Sequence, residues 1–366
     1  MSNIWGMNLK ISIFGESHGE CVGLVLSNLP AGIELDFEAI QKELNRRKPG
    51  KSSLETPRKE DDAFKIMSGY FNNHTTGAPL AMMIENKNTR SKDYGDIRKT
   101  PRPGHADYTA YMKYKGFHDY RGGGHFSGRL TAGLVFAGAV SKQILSKLGI
   151  SVGAVIESIG KVRDDSFDSL ALTDEQLKTW VGSSFPVITE ETGTKMKELI
   201  EEKRSEHNSV GGVIRCIGLN IPVGLGEPFF DSIESRLSHL LFSIPAVKGV
   251  SFGLGFEIAS LDGQEANDDF YMQEGLFRTK TNNAGGILGG ITNGMPIDVR
   301  VAFKPTPSIG QEQQTVDVES LEEKTIAIEG RHDPCIIPRA LPVVEAAMAI
   351  TLLDLLLGEE KDVSWW

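Results

Sequence analysis

Cysteine is scarce in this chain: Cys21, Cys216 and Cys335 are the only three, an odd number set far apart. Disulfide frameworks and zinc sites need paired Cys or Cys/His at short intervals, so neither is expected. A reducing, cytoplasmic setting suits such a chain. Basic charge is also short, with 39 Lys and Arg against 49 Asp and Glu and a formal net charge of −10. A broad basic face for nucleic acid or for an anionic membrane is therefore not expected. Long uninterrupted apolar runs are missing, since the most apolar stretch, 340–357, carries Glu345 and Asp354. Residues 1–7 lack a basic segment leading into an apolar one, so neither export nor membrane spanning is expected. No Pro/Ser-rich linker divides the chain, and one unit over residues 1–366 is the expectation. A P-loop is absent too: Gly50-Lys51-Ser52 ends like one, but the required first glycine position holds Asn45.

What the chain does contain is a pair of similar loops. Arg121-Gly122-Gly123-Gly124-His125-Phe126-Ser127-Gly128-Arg129 runs into an Ala/Leu/Val-rich stretch, 130–148, that predicts one long helix. Three consecutive glycines let the backbone take positive φ and bring bare N–H groups near a ligand, and a helix start favours an anion. With Arg121 and Arg129 as forked donors at its ends, the loop reads as an anion cradle, the alternative being a plain turn feeding a core helix. Arg331-His332-Asp333-Pro334-Cys335-Ile336-Ile337-Pro338-Arg339 repeats the spacing of the arginines ahead of a second apolar helix at 340–357. Thr76-Gly77-Ala78-Pro79 precedes a strand-like run ending at Lys87, and Asn293-Gly294-Met295-Pro296 precedes one ending at Lys304, eight residues from Pro to Lys in both. Asn28-Leu29-Pro30-Ala31-Gly32 is echoed by Asn220-Ile221-Pro222-Val223-Gly224. These repeats imply a diverged duplication, with halves at about 8–150 and 208–358 and a polar, helix-rich excursion at about 160–207. They also imply that the two Arg-flanked loops converge on one site.

Chemically capable side chains lie between the repeats. A strand at 9–14 leads into Gly15-Glu16-Ser17-His18-Gly19, where Ser17 and His18 are presented at a strand end. Arg102-Pro103-Gly104-His105-Ala106-Asp107 fixes a turn with His105 beside Arg102. A histidine there is either structural or a proton donor to an anionic leaving group, because its pKa lies near working pH. Arg46-Arg47-Lys48-Pro49-Gly50-Lys51-Ser52 is a positive cluster ending a helix that Asp36 caps, suited to phosphate or simply to the helix dipole. Ala284-Gly285-Gly286-Ile287-Leu288-Gly289-Gly290 lacks dinucleotide spacing but allows close backbone approach. Lys304-Pro305-Thr306-Pro307-Ser308 is stiff and extended and offers one cation and two hydroxyls. Asp333 stands among arginines, either for chemistry or for an ion pair with Arg331 or Arg339. Thr173 with Gln176, and Asp231 with Glu234, predict capping-box helix starts, and 195–204 predicts an exposed helix.

Taken in order, the 15–19, 102–107, 121–129, 284–290, 304–308 and 330–334 segments resemble the hallmark segments of the chorismate synthase family, over roughly residues 10–357. The resemblance implies an α+β fold, a β-α-β sandwich with long helices between antiparallel sheets and an internal pseudo-twofold. It implies a 1,4-trans elimination of phosphate from 5-enolpyruvylshikimate 3-phosphate to give chorismate, requiring reduced FMN without net redox change, in a homotetramer. NADPH is the reductant to consider for the flavin. By the same resemblance His18 keeps the reduced flavin in its working protonation state, His105 protonates the departing phosphate and Asp333 assists removal of the ring proton. Substrate binding falls to Ser17, Arg47, Arg102, Ser127, Arg129 and Arg339. Flavin binding falls to Arg47, His125, Phe126, Ser127, Pro245, Ala246, Gly289, Lys304, Pro305, Thr306, Pro307, Ser308 and Arg331. The chain departs from the family where many members read Arg-Ser-Ser-Ala-Arg, here His125-Phe126-Ser127-Gly128-Arg129, and where a further arginine commonly follows Arg47, here Ser53 or Leu54 with Lys51 nearby. A flavin-dependent oxidoreductase acting on an anionic metabolite is the alternative, and it requires stoichiometric NADPH. A non-enzymatic binder of phosphorylated metabolites is the other.

Overall fold

The computed structural model describes residues 3–50, 54, 60–87, 98–328 and 332–359. Its first sheet contains β1 (Ile4–Trp5), β2 (Lys10–Gly15), β3 (Cys21–Ser27), β4 (Phe64–Ser68) and β5 (Leu80–Glu85), in the order β1-β2-β3-β5-β4. The second contains β6 (Ser151–Ile159), β7 (Val162–Arg163), β8 (Gly212–Leu219), β9 (Val247–Phe252) and β10 (Ile297–Phe303), in the order β9-β10-β8-β6-β7. Every pairing in both is antiparallel. Leaving aside the two-residue edge strands, each sheet sets its strands side by side in the same sequence: first, second, fourth, third.

The main helices are α1 (Phe37–Arg47), α2 (Asp107–Tyr114), α3 (Thr131–Lys147), α4 (Asp174–Gly182), α5 (Glu190–Ser205), α6 (Ile233–Ser243) and α7 (Ile337–Glu359). α1 and α6 each lie between the second and third strands of their half, and α3 and α7 each follow the fourth. The paired turns agree as well: Asn28 and Asn220 both adopt positive φ, 67° and 58°, and so do Gly32 and Gly224. The second sheet nevertheless takes β6 from before the excursion, so the second half starts at Ser151 rather than near 208.

α3 and α7 are apolar around their circumference, which leaves them stable only between two layers. α3 packs on β3, α7 on β6 and β8, and the two helices pack on each other. Gly138 marks the closest approach, because the place of its missing Cβ is taken by Ala346. Two carboxylates inside α7 pin the layers together. Glu345 takes both forks of Arg46 from α1, at 2.6 and 2.8 Å, together with Lys142 of α3 and the Ala154 amide of β6. Asp354 accepts the amides of Met7, Asn8 and Leu9 at 2.8–3.0 Å and Arg236 of α6 at 2.6 Å. The charges that interrupt this apolar stretch in sequence are thus its anchors in space.

The excursion covers the second sheet. α4 starts with the expected Thr173/Gln176 capping box and packs Leu177 against Ile217 and Leu219, while α5 buries Gly193, Met196 and Ile200. The 195–204 segment is therefore amphipathic rather than wholly exposed. α1 is capped by Asp36, as expected, but the cap of α6 is Ser232, whose side chain accepts from the Ser235 amide at 3.1 Å, and not Asp231. An N-cap must be the extended residue next to the first turn, and Asp231 stands one position too early.

Glu345 is fully buried with two cations as partners. Replacing it with alanine leaves Arg46 and Lys142 with Glu43 as their remaining carboxylate, and Glu345→Ala is expected to cost about 3 kcal/mol in urea denaturation, the low end for a broken buried pair; a loss under about 1 kcal/mol would contradict the anchoring role.

Candidate active site

One cavity of about 700 Å³ opens where the two halves meet, lined from the first half by the β2–β3 turn, the end of α1, the 102–106 turn and the 122–131 segment. The second half contributes the end of α6 and its following turn, residues 303–308, and the start of α7. Ser17, His18, Arg47, Arg102, His105, His125, Phe126, Ser127, Arg129, Pro245, Ala246, Lys304, Thr306, Pro307, Ser308, Asp333 and Arg339 all line it. Gly289 does not: it is exposed in the turn between the short strands Ile287–Leu288 and Ile291–Thr292. Pro305 is not among the lining residues either, and it is exposed. Arg331, Lys51 and Ser53 lie outside the described residues.

The triple glycine serves the histidines. Gly122, Gly123 and Gly124 all have positive φ, and a Cβ on Gly122 would strike the His18 imidazole. One on Gly123 would stand 3.2 Å from Cε1 and Nε2 of His105. The Gly124 carbonyl accepts the Ser17 amide at 3.1 Å, which docks the first turn on the loop. Instead of simply cradling an anion, the glycines let one loop pack between two imidazoles. Arg121, at the loop's far end, makes a bidentate pair with Asp119 and is not among the lining residues. His125 holds the Gly15 carbonyl through Nδ1 at 2.8 Å.

Each cavity arginine is fixed by a carboxylate. Asp62 lies between Arg47, at 2.5 Å, and Arg129, which also meets Glu60 at 2.7 Å and Asn86 at 3.1 Å. Arg102 is held by Asp107 through Nε and Nη2 and by Ser308 through Nη1. Arg339 pairs with Asp333 and donates from Nε to the Arg47 carbonyl at 3.0 Å, a bond that ties the two halves together at the cavity. Burial alone would raise the Asp62 carboxyl, but the charges and hydrogen bonds of Arg47 and Arg129 outweigh it and lower the pKa from 3.8 to about 2. His332 also lines the cavity and moves the other way: burial, then the charge of Arg102, depress its pKa from 6.5 to about 4, so it is neutral at physiological pH. Lys304 is pushed down by burial and by neighbouring Lys248.

Glu60, Asp62 and Lys248 were not singled out in the sequence, and His332 was named there only as part of its loop. Glu60 and Asp62 follow a stretch without any motif, and their one signal is acidic residues close behind Arg58 and Lys59.

A cavity rich in guanidinium and ammonium groups, inside an acidic protein and flanked by histidines and a carboxylate, defines an enzyme that binds a multiply charged anion and moves protons beside it. Comparison with known proteins specifies which. The chorismate synthase family model matches residues 9–357. The chain is 51% identical over 352 residues to a chorismate synthase of Pyrococcus abyssi, covering 96% of this chain and 97% of that one. It is 47% identical over 363 residues to one of Dehalococcoides mccartyi, covering 98% and 97%. A crystal structure of chorismate synthase superposes with a TM-score of 0.76 at 32% identity, covering 97% of this chain and 93% of that chain. The chain belongs to the chorismate synthase family. It is thus a carbon–oxygen lyase of the shikimate pathway, which eliminates phosphate from 5-enolpyruvylshikimate 3-phosphate to form chorismate, and the family uses reduced FMN.

The residues present fit a phosphorylated, flat cofactor. Among the described residues, Thr306 Oγ1 and Arg47 Nε are buried at the cavity with no hydrogen-bond partner, and both can donate to an anionic oxygen. Phe126, Phe242, Ile244, Ile336 and Val343 supply apolar surface for an aromatic ring system.

Asp62→Asn tests the arginine clamp. A carboxyl whose pKa is lowered on folding adds stability that is complete above its ordinary 3.8 and is lost as pH falls through about 2. The wild-type advantage over Asp62→Asn is expected to shrink by about 2 kcal/mol across that window; an advantage constant with pH would contradict the clamp.

Proposed function

We propose that the elimination takes place in this cavity, with His18, His105 and Asp333 as its proton-handling groups. The observation that carries this reading is the convergence of those three residues with Arg47, Arg102, Arg129 and Arg339, drawn from both halves, on one cavity. The arginines meet the substrate's carboxylates and phosphate, aided by the hydroxyls of Ser17 and Ser127. His105, beside Arg102, gives its proton to the phosphate as the C–O bond breaks. Asp333, held by Arg339, faces the ring proton that is lost. His18, buried against Gly122, keeps the flavin side of the cavity in the required protonation state.

Arg47, His125, Phe126, Ser127, Pro245, Ala246, Lys304, Thr306, Pro307 and Ser308 are the residues that hold reduced FMN in this proposal. When bound, reduced FMN supplies an electron-rich ring system and, at N5, a site that shares in removal of the ring proton. Preorganised cations stabilise the leaving phosphate at no reorganisation cost, and they act more strongly once the ligands exclude water. NADPH is proposed as the source of reducing equivalents for the flavin.

We place the enzyme in the cytoplasm as a homotetramer. Phe229, Phe230, Phe256, Phe270 and Phe277 are each more than half exposed, which is apolar surface that further copies of the chain would cover. Nucleic acid and membrane have no part in the proposal. The net charge is −10, and α7, which is long and apolar enough to cross a bilayer, lies almost wholly inside the core.

The direct test is an anaerobic assay with dithionite-reduced FMN and 5-enolpyruvylshikimate 3-phosphate, followed by chorismate absorbance. Turnover is expected with flavin below substrate stoichiometry. In the same assay His105→Ala is expected to release phosphate about 10²–10⁴-fold more slowly, as loss of a general acid does; near-normal release would remove His105 from that role.

A further inference from the structure

Asp107 opens α2 two residues after His105, and every lone-pair direction of its carboxylate is used. Oδ2 accepts the Arg102 backbone amide at 3.0 Å and Arg102 Nε at 2.7 Å. Oδ1 accepts Arg102 Nη2 at 2.9 Å and stands 2.5 Å from His105 Nδ1. Burial opposes its ionisation, yet hydrogen bonds from Arg102 and His105 outweigh burial and hold this carboxyl well below its ordinary range. An ionised carboxylate has no proton to offer, so the ring atom facing it must be the donor, Nδ1–H. Nε2 is thereby left on the side of Gly123, where the ring lines the cavity. His332, from the segment that leads into α7, also interacts electrostatically with His105.

We propose that Asp107 is a positioning residue that holds His105 as the Nδ1–H form, so that Nε2 is the only ring atom exchanging a proton with the ligand. The inference rests on the reading of His105 as proton donor to the departing phosphate. In the donating form both ring nitrogens are protonated. The Nε2–H bond breaks, its electron pair stays on Nε2, and the proton goes to the phosphate oxygen as the C–O bond breaks. The ring is left neutral, with Nδ1–H on Asp107; Arg102 Nη2 lies 3.1 Å from Nδ1 and 3.3 Å from Nε2, and with Nδ1 donating it is Nε2 whose new lone pair can accept its N–H. One carboxylate therefore orients the acid and ties it to the arginine that meets the same phosphate.

A purely structural Asp107, present only to hold Arg102, gives a different result on substitution. Asparagine has one acceptor oxygen, and the two Arg102 donors on the Oδ2 side claim it. The amide NH₂ then faces Nδ1, and neutral His105 becomes the Nε2–H tautomer. Imidazole ¹⁵N NMR on histidine-labelled protein, with His105 assigned by its absence in His105→Ala, reads this directly. Nδ1–H is expected in the wild type and Nε2–H in Asp107→Asn. The kcat for phosphate release is expected to fall by roughly 10²–10⁴-fold, as when an aspartate that sets a catalytic histidine's tautomer is amidated, with KM changing far less than kcat. A wild-type His105 found as Nε2–H overturns the inference without recourse to any variant. So does an unchanged tautomer in Asp107→Asn, or a flipped tautomer with unchanged kcat. Full activity in His105→Ala would instead overturn the role assigned to His105 itself.

Discussion

A guanidinium beside an open cavity keeps neither its place nor its orientation unless something fixes it, and in this structure a carboxylate fixes each one. Asp62 holds Arg47 and Arg129, Asp107 holds Arg102, and Asp333 holds Arg339. Paired in this way the arginines are desolvated at a cost the ion pairs offset, and the donors left over face the ligand space. Glu60, on the cavity wall against Arg129, extends the pattern. The site is therefore a lattice of alternating charge whose cations are preorganised before any ligand arrives.

The two-layered plan explains how such a lattice is assembled. α3 and α7 occupy equivalent places in the two halves, and Arg129 and Arg339 stand near their starts. Because the helices cross at Gly138 and Ala346, both starts and the end of α1 come to one side of the core, where Arg339 reaches the Arg47 carbonyl. Glu345 and Asp354 make the same architecture rigid from within α7. The catalytic reading depends on that rigidity, since acid, base and cations come from segments separated by hundreds of residues.

Much of this was legible in the sequence because positive φ and apolar periodicity leave marks. The Asn28/Asn220 and Gly32/Gly224 echoes survive because those backbone positions tolerate few other residues. The arginines eight apart survive at Arg129 and Arg339, whereas Arg121 has been released to Asp119. The carboxylates that hold the arginines were not legible as such. Asp62 acts across long sequence distance from a loop with no motif, and Asp107 is in plain view beside His105 but only its hydrogen bonds show what it does. The triple glycine was visible, but its packing against His18 and His105 needed the fold. Gly289 and Pro305, expected at the flavin, are exposed and do not line the cavity, a detail that resemblance along the chain does not resolve.

If the charge lattice encloses both ligands in one space, each must affect the other, because the first to bind excludes water and strengthens the field met by the second. The most direct measurement is calorimetric titration of the protein with FMN, with and without saturating 5-enolpyruvylshikimate 3-phosphate. The account predicts tighter FMN binding when the substrate is present; the same affinity in both titrations would contradict a shared cavity.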